Sequence, residues 1–481
     1  MFQKSLCTLS LLLLLSSIGF SQEVWSLQKC IQYAQQNSLE VKQAENGIQQ
    51  AQLTEQENQN QRHPTLNGNL QGGLDFGRTI DPVTNTFSQE TRLSNSVSVQ
   101  ANYTIYNGSR ITNSIKQSEI NTEVAKGDAE QIRNNLALSV AQAYLQILFD
   151  DEQLANANKR LEQTQAQLSQ TDKLIKAGTL PKADRLDILA QIARDEQAIV
   201  NQANALAISY LNLKQLIQVN PELDMKVEKP SVVAPDSNPD AYNLSSIYNK
   251  ALTTQPVIEN DEKRLESIAN DKEIANSLQL PTVRLFGNVN SFYSNQVPDF
   301  SKLNNPGTRV LSNPELVIIN NDQVEFQEFN QVGVEFGKRG YFNQINDNFG
   351  QSIGVNINVP IYNQNQTSIA KERAELNRLN TQIAADQNKQ QLKVDIQRSI
   401  ADARAAKKEY EAATKTVEAL NAAYINTEKR YKLGAVNTFE YTTAKNRLDQ
   451  AEVDLIIAKY RYLYTGKVVE FYEGKKLTLE K

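Results

Sequence analysis

Cysteine is nearly missing from this chain: Cys7 and Cys30 are the only two in 481 residues. Cys7 falls in a segment expected to be removed, so the mature protein can form no intramolecular disulfide. Histidine occurs once, as His63 beside Pro64. Without a neighbouring Cys or His it lacks the ligand set of a metal site, and no Ser-His-acid arrangement can be assembled around it. A glycine-rich phosphate loop is also missing, so the expectation is a non-enzyme with no cofactor. There is no basic block, and 50 Lys and Arg stand against 55 Asp and Glu for a net charge of −5; nothing recommends nucleic acid as a partner. Beyond the N-terminus no apolar run approaches the ~20 residues of a spanning helix. Glycine and proline are few, 19 and 13, and do not mark regular breaks between compact domains. Gln and Asn crowd the helical stretches, which suggests an elongated molecule.

The N-terminus carries the one apolar run. Lys4 supplies a positive start, Leu9 to Leu15 is apolar but too short to span a bilayer, and Gly19-Phe20-Ser21 offers small residues before a cut. Residues 1–21 therefore read as a signal peptide, with the mature chain starting near Gln22. Cys7 precedes the apolar run and cannot be a lipidated cysteine. Trp25, just inside the mature start, fits either core or interface.

What the chain does have is repetition. Leu27 to Leu66 lies over Leu244 to Val283 with Pro64-Thr65 on Pro281-Thr282, and Tyr106-Asn107 to Leu213 lies over Tyr362-Asn363 to Val469 without a gap. Identities are few and the pattern is what matches. Each half reads helix, strand pair, long helices, which is a duplicated architecture rather than a short solenoid array. The expected layout is a first repeat over 22–219 with strands about 65–78 and 94–107, a linker over 220–243, a second repeat over 244–470 with strands about 282–293 and 349–362, and a tail over 471–481.

The strands show period two. Val97, Val99, Ala101, Tyr103 and Ile105 alternate with polar residues, as do Ile353, Val355, Ile357, Val359 and Ile361 with Gly354, Asn356, Asn358 and Pro360. Leu66, Leu70, Leu74 and Phe76 follow Pro64, and Val283, Leu285 and Val289 follow Pro281. Strands of about ten residues suit a tilted bilayer crossing. Open edges in hydrocarbon leave backbone groups unpaired, so such a sheet must close; four strands per chain then require several copies, and three give twelve strands. A soluble β-sandwich also alternates, but it would not separate two strand pairs by long helices. Residues 79–93 and 294–347 join the strands within each pair and read as exposed loops.

A heptad column runs through the helices: Ile147, Leu154, Leu161, Leu168 and Ile175 in the first half, and Ala403, Tyr410, Val417, Tyr424 and Tyr431 in the second, as knobs-into-holes packing needs. Gly178 and Gly434 sit where a helix stops and the chain reverses, giving one helical hairpin per half. From Tyr106 to Gly178 is roughly 70 residues, on the order of 100 Å of helix.

These features resemble the TolC-like outer-membrane efflux proteins. The local marks are His63-Pro64 and Leu280-Pro281 closing the first helices, Ile105-Tyr106-Asn107 and Ile361-Tyr362-Asn363 leading into the long helices, and the tips Lys176-Ala177-Gly178 and Tyr431-Lys432-Leu433-Gly434. The resemblance implies a mainly α fold with membrane β-strands. A homotrimer would form a 12-stranded β-barrel in outer-membrane lipid, continuous with a 12-helix periplasmic α-barrel. It further implies an exit duct fed by an inner-membrane transporter through a periplasmic adaptor that docks on the tips around Gly178, Leu433 and Gly434. In the family an acid six positions after the second glycine, often with another at nine, rings the closed mouth; here those positions hold Glu440 and Thr443, half of that pattern. Glu440 equally fits the N3 partner of Asn437 in a capping box. The resemblance also implies a latch between Tyr431 and Asp184, with the companion arginine replaced by Val436. For these two the plainer roles are a heptad core residue and a first-turn acid.

Two other classes fit export. A trimeric coiled-coil adhesin explains the heptads but predicts one uninterrupted stalk, and an envelope scaffold leaves the four alternating strands unexplained. The cargo is not written in the sequence.

Overall fold

The computed structural model describes residues 24–80, 87–89, 91–229, 238–305, 309–311, 315–319, 322–326, 329–331, 335–475 and 477–478. The expected signal peptide lies outside them. The first half contains helices α1 (Leu27–Asn37), α2 (Leu39–Asn60), α3 (Arg110–Lys176) and α4 (Ala183–Leu216), with strands β1 (Thr65–Asp75) and β2 (Arg92–Tyr106) between α2 and α3. The second half repeats the order: α5 (Leu244–Thr254), α6 (Pro256–Ser277), β3 (Thr282–Ser294), a short helix α7 (Tyr341–Asp347), β4 (Gly350–Asn358), α8 (Gln366–Lys432) and α9 (Thr438–Tyr472). Lengths match: 11 and 11 residues for α1 and α5, 22 and 22 for α2 and α6, 67 and 67 for α3 and α8, 34 and 35 for α4 and α9.

The chain divides into two units, residues 56–116 with 270–374, and 1–55 with 117–269 and 375–481. The first holds a four-stranded antiparallel sheet in the order β4-β3-β2-β1. Register sets its chemistry. Leu66, Leu70 and Leu74 lie opposite Ala101, Val97 and Leu93, Val99 and Tyr103 opposite Val289 and Leu285, and Leu285 and Val283 opposite Val355 and Ile357. All these share one face, because side chains alternate along a strand. The other face carries Asn67, Asn69, Gln71, Ser96, Ser98, Gln100, Asn288 and Asn356. On it Phe286 covers Gly354, where an added Cβ would come within 2.6 Å of the ring.

β4 stops at Asn358, short of the expected 362, since Pro360 has no N–H to give a ladder. Residues 298–338 are not an irregular loop. Their described residues form paired strands, Pro298–Asn305 with Glu335–Lys338, Arg309–Leu311 with Phe329–Gln331, and Glu315–Ile319 with Asp322–Phe326. Helix α7 closes onto β3: the side-chain amide of Gln344 accepts from Ser294 N–H at 3.0 Å and donates to its carbonyl at 2.9 Å.

The chain turns into each long helix by the same device. Gly108 and Ser109 have φ of +67° and +66°, and Gln364 and Asn365, displaced by the same offset as Tyr362 from Tyr106, have +55° and +60°. Gly108 fits because an added Cβ would sit 2.8 Å from the Leu280 Cβ; Gln364 has the same backbone turn without the glycine.

Two of the apolar clusters in the helical unit are images of each other. One contains Cys30, Ala34, Val41, Leu136, Val140, Tyr144, Ile147 and Leu213; the other contains Ile247, Ala251, Ile258, Leu392, Ile396, Ile400, Ala403 and Val469. Each residue of the second stands at the sequence offset of its counterpart in the first. Trp25 belongs to the first cluster, 4% exposed, in a two-residue parallel ladder with Lys226–Val227. The Tyr144 hydroxyl lies 2.7 Å from the Glu228 carbonyl and 3.1 Å from that of Trp25, tying both segments to α3. Burial pushes the Cys30 thiol up to about 12, so this cysteine is packing material.

Candidate gate at the hairpin tips

The two hairpin turns are built alike. Gly178 and Gly434 have φ of +81° and +69°, in the left-handed region where a Cβ is unfavourable. The N–H after each glycine reaches back five residues, Thr179 to the Leu174 carbonyl at 3.0 Å and Ala435 to that of Arg430 at 2.9 Å, satisfying carbonyls that the helix end leaves open. Leu433 beside the second turn is 83% exposed and Phe439 is 75% exposed.

Asn437 caps α9, its Oδ1 accepting from Glu440 N–H at 2.9 Å. The box is not reciprocal. The Glu440 carboxylate turns to Arg430, whose Nη1 donates at 3.3 Å across the turn, with both side chains about half exposed. Glu440 is therefore a capped first-turn acid with a cationic neighbour, and Thr443 lies half-buried one turn on.

Tyr431 is 1% exposed. Its ring stacks on Tyr441 with centroids 4.8 Å apart, and its hydroxyl is shared with Thr171 of α3 at 3.2 Å and Thr438 of α9 at 3.1 Å. The Tyr424 and Tyr441 hydroxyls meet at 2.9 Å, and burial pushes both phenols up. Asp184 is half-buried in the first turn of α4, with no side-chain hydrogen bond or ion pair among the described residues. The expected bond between Asp184 and Tyr431 is thus not made within the chain. Tyr431 is inserted between hairpins, where its hydroxyl meets Thr171 and Thr438 instead. The link across hairpins exists with Thr171 as partner.

Beyond the tip lies a layer that an apolar heptad search misses. Lys445 Nζ donates to Thr164 Oγ1 at 2.6 Å and to the Arg160 carbonyl at 3.3 Å. Thr164 donates to Asp195 at 2.6 Å, which also accepts from Gln191 at 2.9 Å and faces Arg160 at 3.5 Å. Arg160 Nε stands 3.1 Å from Asp449 Oδ2, though not aligned for a hydrogen bond. Lys445, Asp449, Asp195 and Thr164 are all buried. Burial lowers the Lys445 pKa and raises that of Asp449, against the pull of their partners. In α3 the buried positions beyond Leu148 are Asp150, Gln153, Ala157, Thr164, Gln167 and Thr171, while Leu154, Leu161 and Leu168 are half-buried. The sequence signal was the spacing of three and four in a polar column beside the apolar one.

A model of a family described as outer membrane efflux protein matches residues 30–218 and 247–465. No curated protein sequence matches significantly. Among solved structures, the outer membrane protein VceC of Vibrio cholerae is similar over 93% of this chain and 96% of its own, at 14% identity and a TM-score of 0.71. The CmeC outer membrane channel of Campylobacter jejuni is similar over 97% and 92%, at 15% identity and 0.71. The MtrE outer membrane channel of Neisseria gonorrhoeae, in an open state, is similar over 93% and 88%, at 16% identity and 0.65. Identities this low establish a shared fold.

Proposed function

Because the chain belongs to the outer membrane efflux protein family, whose model spans both of its halves, we propose that it is the outer-membrane exit duct of a tripartite efflux or type I secretion system. The family and fold are those of channel proteins rather than enzymes. The observation that carries the reading is the sheet: four antiparallel strands, one face predominantly apolar and the other predominantly polar, with β1 and β4 each paired on one side only among the described residues. Such edges cannot remain open in hydrocarbon. Three copies close a 12-stranded barrel with its apolar face to lipid and its Asn, Gln and Ser face to a water-filled lumen.

The helices supply matching surfaces. Ile369, Leu376 and Ile383 of α8 recur every seven residues and are 46%, 59% and 55% exposed in the single chain, as a face that packs on further copies must be. In this reading the trimer takes substrate from an inner-membrane transporter through a periplasmic adaptor seated on the tips at Gly178, Leu433 and Gly434. Tyr431 holds the mouth through Thr171, and three copies of Glu440, each tempered by Arg430, line it. Sedimentation in mild detergent, followed by planar-bilayer recording, tests the proposal. A trimer with ohmic channels is expected; a folded monomer without conductance would refute it.

A further inference from the structure

The face of α9 that packs on the first hairpin changes character along its length. Towards the tips it presents Lys445 and Asp449, both buried, to a column of α3 that includes Gln167, Thr164 and Arg160. Further on, the buried contact is mainly apolar: Tyr460 and Tyr464 pack on the cluster that contains Leu145 and Leu148, the Tyr460 ring stands 6.2 Å from Phe149, and the ion pair there, Lys459 with Glu152, is partly exposed. Gln167 Nε2 and both amide atoms of Asn156 in the tipward part are buried without a hydrogen-bond partner, as Trp25 Nε1 is in the apolar cluster.

Separating the two parts has different consequences. An apolar contact loses its burial when water enters. A buried ion pair holds about as well as an apolar pair of the same size, and each charge recovers hydration when the surfaces part. Orphaned amides gain partners in water too.

We propose that the tipward contact between α9 and the first hairpin is a release surface, and that Lys445 and Asp449 position the second hairpin so that it parts from α3 and α4 there while the apolar segment beyond Gln153 stays closed. The proposal rests on the exit-duct reading, in which the tips open and close. It makes the Lys445 and Asp449 layer an aid to opening, in contrast to the Tyr431 to Thr171 bond nearer the tip, which opposes it. The raised Asp449 and lowered Lys445 pKa values accord with it, since both mean that docking disfavours the charged forms.

Thiol accessibility in the assembled protein tests this without relying on conductance. Gln167→Cys and Leu148→Cys, both buried positions, are reacted separately with a water-soluble maleimide; Cys30 is fully buried and adds only background. Modification through transient opening proceeds in proportion to the open population. Gln167→Cys is expected to react at least tenfold faster than Leu148→Cys. In the Lys445→Met/Asp449→Leu background, where Asp195 keeps Thr164, Gln191 and Arg160 as partners, the Gln167→Cys rate is expected to fall at least tenfold. Equal rates at the two positions, or a rate that is unchanged or faster in the apolar double variant, would overturn the proposal. Failure of the duct reading shows separately, as absent conductance in the unmodified protein.

Discussion

Tyr431 offers two properties that substitution can separate. Tyr431→Phe keeps the ring on Tyr441 and removes the hydroxyl shared by Thr171 and Thr438, a loss of about 1 kcal/mol per chain. Opening in planar bilayers is expected to rise several-fold with trimers intact. Asp184→Asn is expected to leave it unchanged, because that carboxylate is not joined to Tyr431 in the chain; equal gains in both variants would reinstate the Asp184 latch. At the turn itself, Gly434→Val forces a β-branched residue to a φ of +69°, at about 1–2 kcal/mol. If the adaptor seats on this turn as proposed, export is expected to fall while membrane insertion is retained, measured as substrate accumulation against the amount of assembled trimer.

The helices owe their mutual placement to small and polar residues as much as to apolar columns. At Gly127 an added Cβ would run into the side-chain amide of Asn260. Asn260 lies in α6 and its Nδ2 donates to the Val124 carbonyl at 3.0 Å and to Asp128 at 2.7 Å. Gly127→Ala gains helix propensity of up to ~1 kcal/mol, yet it displaces a buried amide whose lost hydrogen bonds cost about 1–3 kcal/mol. Net destabilisation is expected in thermal melts of the solubilised protein. Pairing it with Asn260→Ala, which removes the obstacle, should recover part of the loss.

For the whole molecule the sheet decides the destination. Val355 lies on the apolar face and Asn356 on the opposite one, next to each other in β4. An arginine facing lipid near the bilayer midplane costs about 2–4 kcal/mol, whereas lumen positions tune selectivity. Val355→Arg is expected to lower the yield of membrane-integrated trimer, read from heat-sensitive bands on gels. Asn356→Arg is expected to assemble normally and shift the reversal potential in a salt gradient towards anions. If both variants insert equally, the assignment of the faces fails.

Periodicity and repetition are visible directly in the sequence, because they are set by neighbours along the chain. Alternation along Val97 to Ile105 gave the strand and its faces, and the overlay of Tyr106 to Leu213 on Tyr362 to Val469 gave paired long helices. Gly178 and Gly434 marked the turns, since a helix stop needs a left-handed residue wherever it occurs. Other features depend on residues far apart in sequence. Tyr431 reads as a heptad residue and pairs with Thr171 only once two hairpins are packed. The partners of Lys445 lie on α3, and Gln344 ties α7 to β3 beyond a 298–338 segment whose composition suggests a loop. A polar side chain carries no local sign of whether it faces water or a buried partner, because its free energy changes sign with the company it keeps. Local order was therefore legible in the sequence, while the choice among polar partners was made by tertiary packing, which alone sets the distances on which hydrogen bonds and ion pairs depend.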